Sequence, residues 1–161
     1  MSVIILFGAI VVVTFLLAFV SGRRFGPLAL ALAAGAMLAG FWSEWLAVLI
    51  GGLGVSVPGL PSGVLATVIM TIAPLCLLLL GGPKYQKKHE RVLAAVLIAL
   101  VTAALLVKPL GQFMTLEGDA LAVYKVLNEW WRVVVTAGLL AGLADVFMLH
   151  TVKVSAAKKK H

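Results

Sequence analysis

Asp145 is the residue whose type and setting could do chemistry. It is the one acid inside an apolar stretch, residues 131–149, and stands about four residues from that stretch's polar end. A carboxylate at membrane depth is a default candidate for handling a proton or a cation. On a helix it shares a face with Gly138, Ala141 and Gly142, at steps of three and four, and Gly138 and Gly142 form a GxxxG pair. Asp145 is therefore expected at a helix–helix contact. The sequence favours a structural role, in which the carboxylate is hydrated or pairs with Arg24, Arg91 or Lys153. Glu44, between Trp42 and Trp45, is expected to be solvated at a membrane rim. His89, His150 and His161 all fall at or beyond one interface, which argues against a haem held by two histidines within the spans. The lone Cys76 has neither a disulfide partner nor ligand-spaced neighbours for zinc, and is expected to be a small buried hydrophobe. No Walker, GxSxG, HExxH or CxxC pattern occurs, and the glycine-rich run 51–54 follows no strand. The expectation is no enzyme, no metal and no cofactor.

The elements that must position these residues follow from composition. The chain has 161 residues, 63% hydrophobic and 12% charged, with a mean hydropathy of +1.15. Soluble domains average roughly 45–50% apolar and about 25% charged, so a bilayer is the natural solvent. At about 20 residues per spanning helix, the length holds five or six spans. The sequence predicts an all-α integral membrane protein, a single transmembrane helical domain. Five spans are expected at about 2–20, 25–42, 62–80, 92–107 and 131–149, followed by a basic tail, 150–161. The first is expected to be a retained span rather than a signal peptide, because no basic residue precedes it and Arg23 and Arg24 follow it.

Residues 45–57 are apolar but short, and Pro58, Gly59 and Pro61 follow. A run of that length reads as an interfacial helix or a re-entrant segment between spans two and three. Pro74 interrupts span three, and Thr71 is placed to help satisfy the carbonyl of Met70. Lys108 and Pro109 close span four, and residues 120–131 could form a short surface helix before span five.

Small residues mark the faces expected to pack. Ala31, Gly35 and Ala39 recur every four residues in span two, as do Ala36 and Gly40, and Gly138 and Gly142 do so in span five. Such spacing lets helix backbones approach closely in lipid. These faces call for other membrane helices, as a homo-oligomer or a hetero-complex.

Charge orients the bundle. Alternating five spans puts Arg23, Arg24, Lys84, Lys87, Lys88, Arg91, Lys153 and Lys158 to Lys160 on one side, and only Lys108, Lys125 and Arg132 on the other. Lys and Arg concentrate on cytoplasmic loops, so the N-terminus is expected outside and the C-terminus in the cytoplasm. Trp42, Trp45, Trp130 and Trp131 all fall at the outer interface, where indole rings anchor. The net charge of +7 then predicts attraction to anionic lipid headgroups at the cytoplasmic face. It does not predict nucleic-acid binding, because the basic residues form no patch on a soluble domain.

Gly22-Arg23-Arg24-Phe25-Gly26, followed by residues 30–40 with Gly35 and Gly40, resembles the colicin V production protein family of small bacterial membrane proteins. Those proteins often begin with an apolar span, a short Gly/Arg turn and a Gly/Ala-rich span. A later span introduced by Glu90-Arg91-Val92-Leu93 is similar to that layout, while the fifth span and the Gly/Pro segment depart from the family's usual four-span plan. The resemblance implies a bacterial inner-membrane protein linked to export or envelope physiology, with no catalytic residues. The expected role is a non-enzymatic subunit or scaffold of a membrane complex. The alternative is a small channel or transporter acting as a homo-oligomer.

Overall fold

A computed structural model describes residues 2–55, 57, 60–81, 85, 88–111 and 119–158. Five helices account for nearly all of them: α1 (Ser2–Ser21), α2 (Phe25–Gly52), α3 (Ser62–Leu80), α4 (Lys88–Gly111) and α5 (Asp119–Lys158). Four segments are long and apolar enough to cross a membrane: Phe25–Gly52, Ser62–Leu80, Lys88–Gly111 and Tyr124–Met148. Large apolar side chains face outward on every helix, among them Val20, Phe41, Leu77, Leu93 and Phe147. A surface this apolar is far beyond the scattered patches of a soluble monomer.

The helices alternate in direction, which brings the end of α1, the start of α2, the end of α3 and the start of α4 together. We call this the arginine end and the opposite one the tryptophan end. α2 packs most extensively on α3, α1 lies along α4, and α5 lies across α2 and α4. α4 is the most buried helix. Ala95, Ile98, Ala104 and Leu106 are fully enclosed, and Thr102 sits among them with its hydroxyl donating to the Ile98 carbonyl at 2.8 Å. The main core joins Ala18 of α1, Leu28, Ala29 and Leu32 of α2, Leu75 of α3, and Ala94, Ile98 and Val101 of α4. A second cluster nearer the tryptophan end joins Val64 and Val68 to Leu106 and Leu110.

Several expected boundaries move. Residues 45–52 are neither a re-entrant hairpin nor a separate interfacial helix; they continue α2 to Gly52. Nothing from Ser43 to Ile50 breaks a helix, and the glycines that do come at its end, where Gly54 takes a left-handed φ of +69°. Of the rest of that segment, Ser56 lies outside the described residues, as do Pro58 and Gly59 that follow it. α4 begins at Lys88 and runs through Pro109; a proline there forfeits a single hydrogen bond, in the last turn. The separate surface helix over 120–131 does not form, because those residues are the first turns of a 40-residue α5. At 1.5 Å per residue that helix spans about 60 Å, roughly twice a bilayer's hydrocarbon core. In α3 the Thr71 hydroxyl donates to the Thr67 carbonyl at 2.8 Å, not to Met70. The acceptor one turn back is the nearest carbonyl a helical threonine reaches.

Candidate functional site

The polar residues of the bundle converge at the arginine end, and the helix termini explain why. α2 starts at Phe25, with Arg24 as its N-cap, and Arg24 makes no side-chain cap hydrogen bond. A guanidinium has no acceptor to offer the free amides of a first turn. Pro27 removes one of those amides, which leaves Phe25 and Gly26 to be satisfied from elsewhere in the bundle. The Gly26 amide donates to Asp145 Oδ2 at 3.0 Å, and the Phe25 amide points at the Tyr85 hydroxyl oxygen at 3.5 Å. Asp145 therefore caps α2 from α5, and its negative charge sits at the positive end of the α2 dipole.

The same carboxylate forms an ion pair with Arg24, Nη2 to Oδ1 at 2.6 Å, with 24% of the arginine side chain and 14% of the aspartate exposed. The Tyr85 hydroxyl lies 3.5 Å from Oδ1, and Arg24 stacks over the Tyr85 ring at 5.1 Å. Burial, reinforced by the nearby Asp145 charge, raises the pKa of Tyr85, so it stays a hydroxyl at neutral pH. Burial alone would lower the pKa of Arg24, but its hydrogen bond to Asp145 and the charge there leave it raised.

Two other arginines cap helix C-termini. Arg91 of α4 donates from Nη2 to the carbonyls of Phe19 and Val20 at 2.9 and 3.0 Å, closing α1. Arg23 donates to the carbonyls of Leu79 and Leu80 at 3.3 and 3.0 Å, closing α3. Cations belong at the negative ends of helices. Gly22 makes room for this arrangement: its φ is +58°, and a Cβ there would come 2.5 Å from Arg91 Nε. The Tyr85 amide donates to the Gly22 carbonyl at 2.8 Å. One layer of Arg23, Arg24, Tyr85, Arg91 and Asp145 thus ties all five helices together. Its cost is two buried nitrogens without an acceptor, Arg24 Nε and Arg91 Nε.

Comparison of the chain with protein-family models, with curated proteins and with solved structures finds no match.

The small residues fall into two groups. Ala31, Gly35 and Ala39 are buried on α2, and a Cβ on Gly35 would fall on the Thr71 carbonyl of α3. Gly142 meets α2: a Cβ there would lie 3.1 Å from Ala29 Cβ, and one on Gly26 would lie 2.5 Å from the Gly142 carbonyl. Gly138 faces Val101 of α4, whose Cγ2 would be 2.5 Å from an added Cβ. Gly40 does not pack on another helix of this chain among the described residues. It is exposed and nothing lies within 4 Å of where its Cβ would stand. Ala36 and Gly40 lie one residue round the helix from the Gly35 line, and the 100° turn carries Gly40 off the α3 contact.

The four tryptophans gather at the other end. Trp42 and Trp45 meet edge to face at 5.6 Å, and both are about half exposed, as is Trp130. Trp131 lies between Lys108 Nζ, 4.5 Å from its ring centre, and the Arg132 guanidinium at 5.8 Å. Sixteen residues of α2 separate Gly26 from Trp42, and fourteen of α5 separate Asp145 from Trp131, which is about 24 and 21 Å along a helix. Glu44 lies at this level. Cys76 is free and, against the expectation of burial, exposed on the surface of the chain, and no group of three metal-ligating side chains forms among the described residues. His89 is exposed; the side chains of His150 and His161 lie outside the described residues.

Sequence reasoning did not single out Tyr85, Gly22 or Gly26. Gly26 carried a signal, since a glycine directly after a helix start and before Pro27 suits a close backbone approach. Tyr85 carried none, because its role depends on contacts with Phe25 and Asp145, each 60 positions away in the chain.

Proposed function

We propose that the chain is an integral membrane protein of five spans, with its N-terminus outside and its C-terminus in the cytoplasm. We further propose that it serves as a non-enzymatic subunit or scaffold of a bacterial inner-membrane complex. One observation carries this reading: the intramembrane carboxylate is committed to structure. Asp145 is engaged by Arg24, the Gly26 amide and Tyr85. The other buried polar side chains described are Thr14, Thr71 and Thr102, and each hydroxyl donates to the carbonyl one turn back. A proton or ion pathway needs polar groups left to receive its cargo; among the described residues the buried polar side-chain atoms without a partner are Arg24 Nε and Arg91 Nε, both cationic and both at the arginine end.

The orientation rests on the ten-to-three division of Lys and Arg. The fifth span is α1, apolar from Phe7 to Ser21 and packed along α4. The layout of the first spans is the ground for proposing a kinship with the colicin V production protein family, and with it a bacterial inner membrane. The test is purification of the tagged chain from its native membrane in mild detergent. Defined foreign chains in fixed ratio support the subunit reading. A homo-oligomer that conducts ions after reconstitution replaces it with the channel or transporter.

A further inference from the structure

Two cations crowd one indole at the tryptophan end. Lys108 Nζ of α4 lies 4.5 Å from the Trp131 ring centre and the Arg132 guanidinium of α5 lies 5.8 Å from it, so the two charges stand within about 10 Å of each other. Salt screens a pair at that separation only in part. Both side chains are exposed. Glu44 and Glu129, the acids described at this end, form no ion pair with either; the carboxylate that is paired is Asp145, with Arg24 at the opposite end. A cation over an aromatic face keeps its N–H donors, so Lys108 and Arg132 remain open to an anion. In this they differ from Arg23, Arg24 and Arg91, which donate to helix carbonyls and to Asp145.

Thr136 is a second, independent sign. It stands one turn from Arg132, inside the apolar segment Tyr124–Met148, and is exposed. The hydroxyls of Thr14, Thr67, Thr71 and Thr102 each donate to the carbonyl one turn back. That of Thr136 has no partner among the described residues. An unpaired hydroxyl is costly in an apolar medium, and lipid is the nearest source of an acceptor.

Arg132 and Thr136 line a groove of about 350 Å³ along α5, together with Val133, Ala137 and Leu140. Arg132, Thr136 and Leu140 follow at steps of four, so they lie one above the other on one face, about 6 Å apart along the helix. From the tryptophan end inward the groove presents charge, then a hydroxyl, then apolar side chains. A phospholipid has the same order of parts: phosphate, ester oxygens, hydrocarbon.

We propose that this groove seats one anionic phospholipid of the leaflet at the tryptophan end. Lys108 and Arg132 hold its phosphate, Thr136 donates to an ester oxygen, and an acyl chain lies along Val133, Ala137 and Leu140. Two cations without a counter-charge favour a head of net negative charge over a zwitterionic one.

The proposal rests on the membrane reading above, and its test fails separately from that reading. Purified full-length protein is exchanged into nanodiscs or detergent containing phosphatidylglycerol or phosphatidylcholine with identical chains, and the retained lipid is counted by native mass spectrometry. One phosphatidylglycerol should be held about five- to twenty-fivefold tighter than phosphatidylcholine, at about fivefold for each Lys or Arg contact. Arg132→Gln should lower that ratio about fivefold. Thr136→Val, which keeps the shape and removes the hydroxyl, should weaken retention of both lipids about threefold, the scale of one hydrogen bond. Lys88→Gln, an exposed cation at the start of α4 and at the arginine end, should change neither. Inorganic phosphate at the same concentration should not compete, because it lacks the chain. A phosphatidylglycerol with a photoreactive chain, used on the unaltered protein, should crosslink to Ala137 or Leu140, so the proposal stays testable if a variant does not fold. Equal retention of the two lipids, an unchanged ratio in Arg132→Gln, unchanged retention in Thr136→Val, a ratio lost in Lys88→Gln, competition by phosphate, or crosslinks confined to other helices would each overturn it. The protein would remain membrane-embedded in all those cases.

Discussion

α4 and α5 look alike as sequences, each a long apolar helix with scattered small residues, yet the bundle holds them by different means. α4 buries a broad face: Ala95, Ile98, Ala104 and Leu106 are fully enclosed. α5 buries almost none of its apolar length; among its described residues Gly142 alone is buried. Lipid is as apolar as leucine, so helices within a bilayer gain little from hiding apolar surface from it and must associate through close packing and polar contacts. α4 achieves this by area. α5 achieves it at points: Gly142 on Ala29, Gly138 on Val101, and Asp145 on Arg24 and the Gly26 amide. A helix held by area should lose stability gradually as it is trimmed, whereas a helix held at points should come away when one point is lost.

The largest effect should come where two backbones touch and no side chain can yield. Gly35→Leu drives a side chain into the Thr71 carbonyl, and because backbone cannot give way the cost should exceed the about 1–3 kcal/mol typical of overpacking and that of any cavity variant below. We expect the folded yield in detergent to fall several-fold; unchanged yield would mean that α2 and α3 do not approach as described. Ile98→Ala opens a cavity in the area-held helix and should cost about 2–4 kcal/mol of global stability, read as an earlier unfolding midpoint with every helix affected together.

Asp145→Ala leaves the Arg24 charge and the Gly26 amide without their partner. Breaking a buried pair costs about 3–5 kcal/mol; with Arg24 a quarter exposed, about 1–3 kcal/mol is the expected scale. The loss should be confined to α5. Hydrogen exchange should quicken along α5 while the α4 core stays protected, and uniform loss across both helices would erase the distinction between them. Lys108→Gln removes a cation lying on the Trp131 ring at the tryptophan end. It should cost only about 0.5–1 kcal/mol, again seen as local exchange near Trp131.

Much of the fold was legible because long apolar runs broken by short polar or glycine-rich stretches mark out helices. The bounds expected for the first and third spans are close to those of α1 and α3, since Ser21-Gly22 and Gly81 end apolar runs unambiguously. α2 and α5 ran long because polarity was taken as a helix end. Ser43 and Glu44, or Asn128 and Glu129, are polar without ending the helix, since a helix satisfies its own backbone in water as well as in an apolar medium. The candidate site was legible in part. Asp145 stood out as a charge where charges are costly, and Arg24 was among the bases within reach. The capping roles of Arg23, Arg91 and Tyr85 were not legible. They depend on which helix ends become neighbours, and a local pattern of residues holds no information about a carbonyl sixty positions away. For a related reason the sequence could not say which of two adjacent small-residue faces of α2 meets α3: such a repeat marks a face able to pack, and the neighbouring helix decides which one it uses.

The central claim is that Asp145 holds the bundle together and carries nothing through it. Asp145→Asn tests this directly, because the amide oxygen can still accept from Gly26 while the charge is gone. The unaltered protein and the variant would be reconstituted into vesicles containing a pH-sensitive dye, with assembly measured on the same samples. The account predicts that both assemble and that neither conducts protons or cations above empty vesicles. Flux through the unaltered protein, lost in Asp145→Asn with assembly intact, would contradict it.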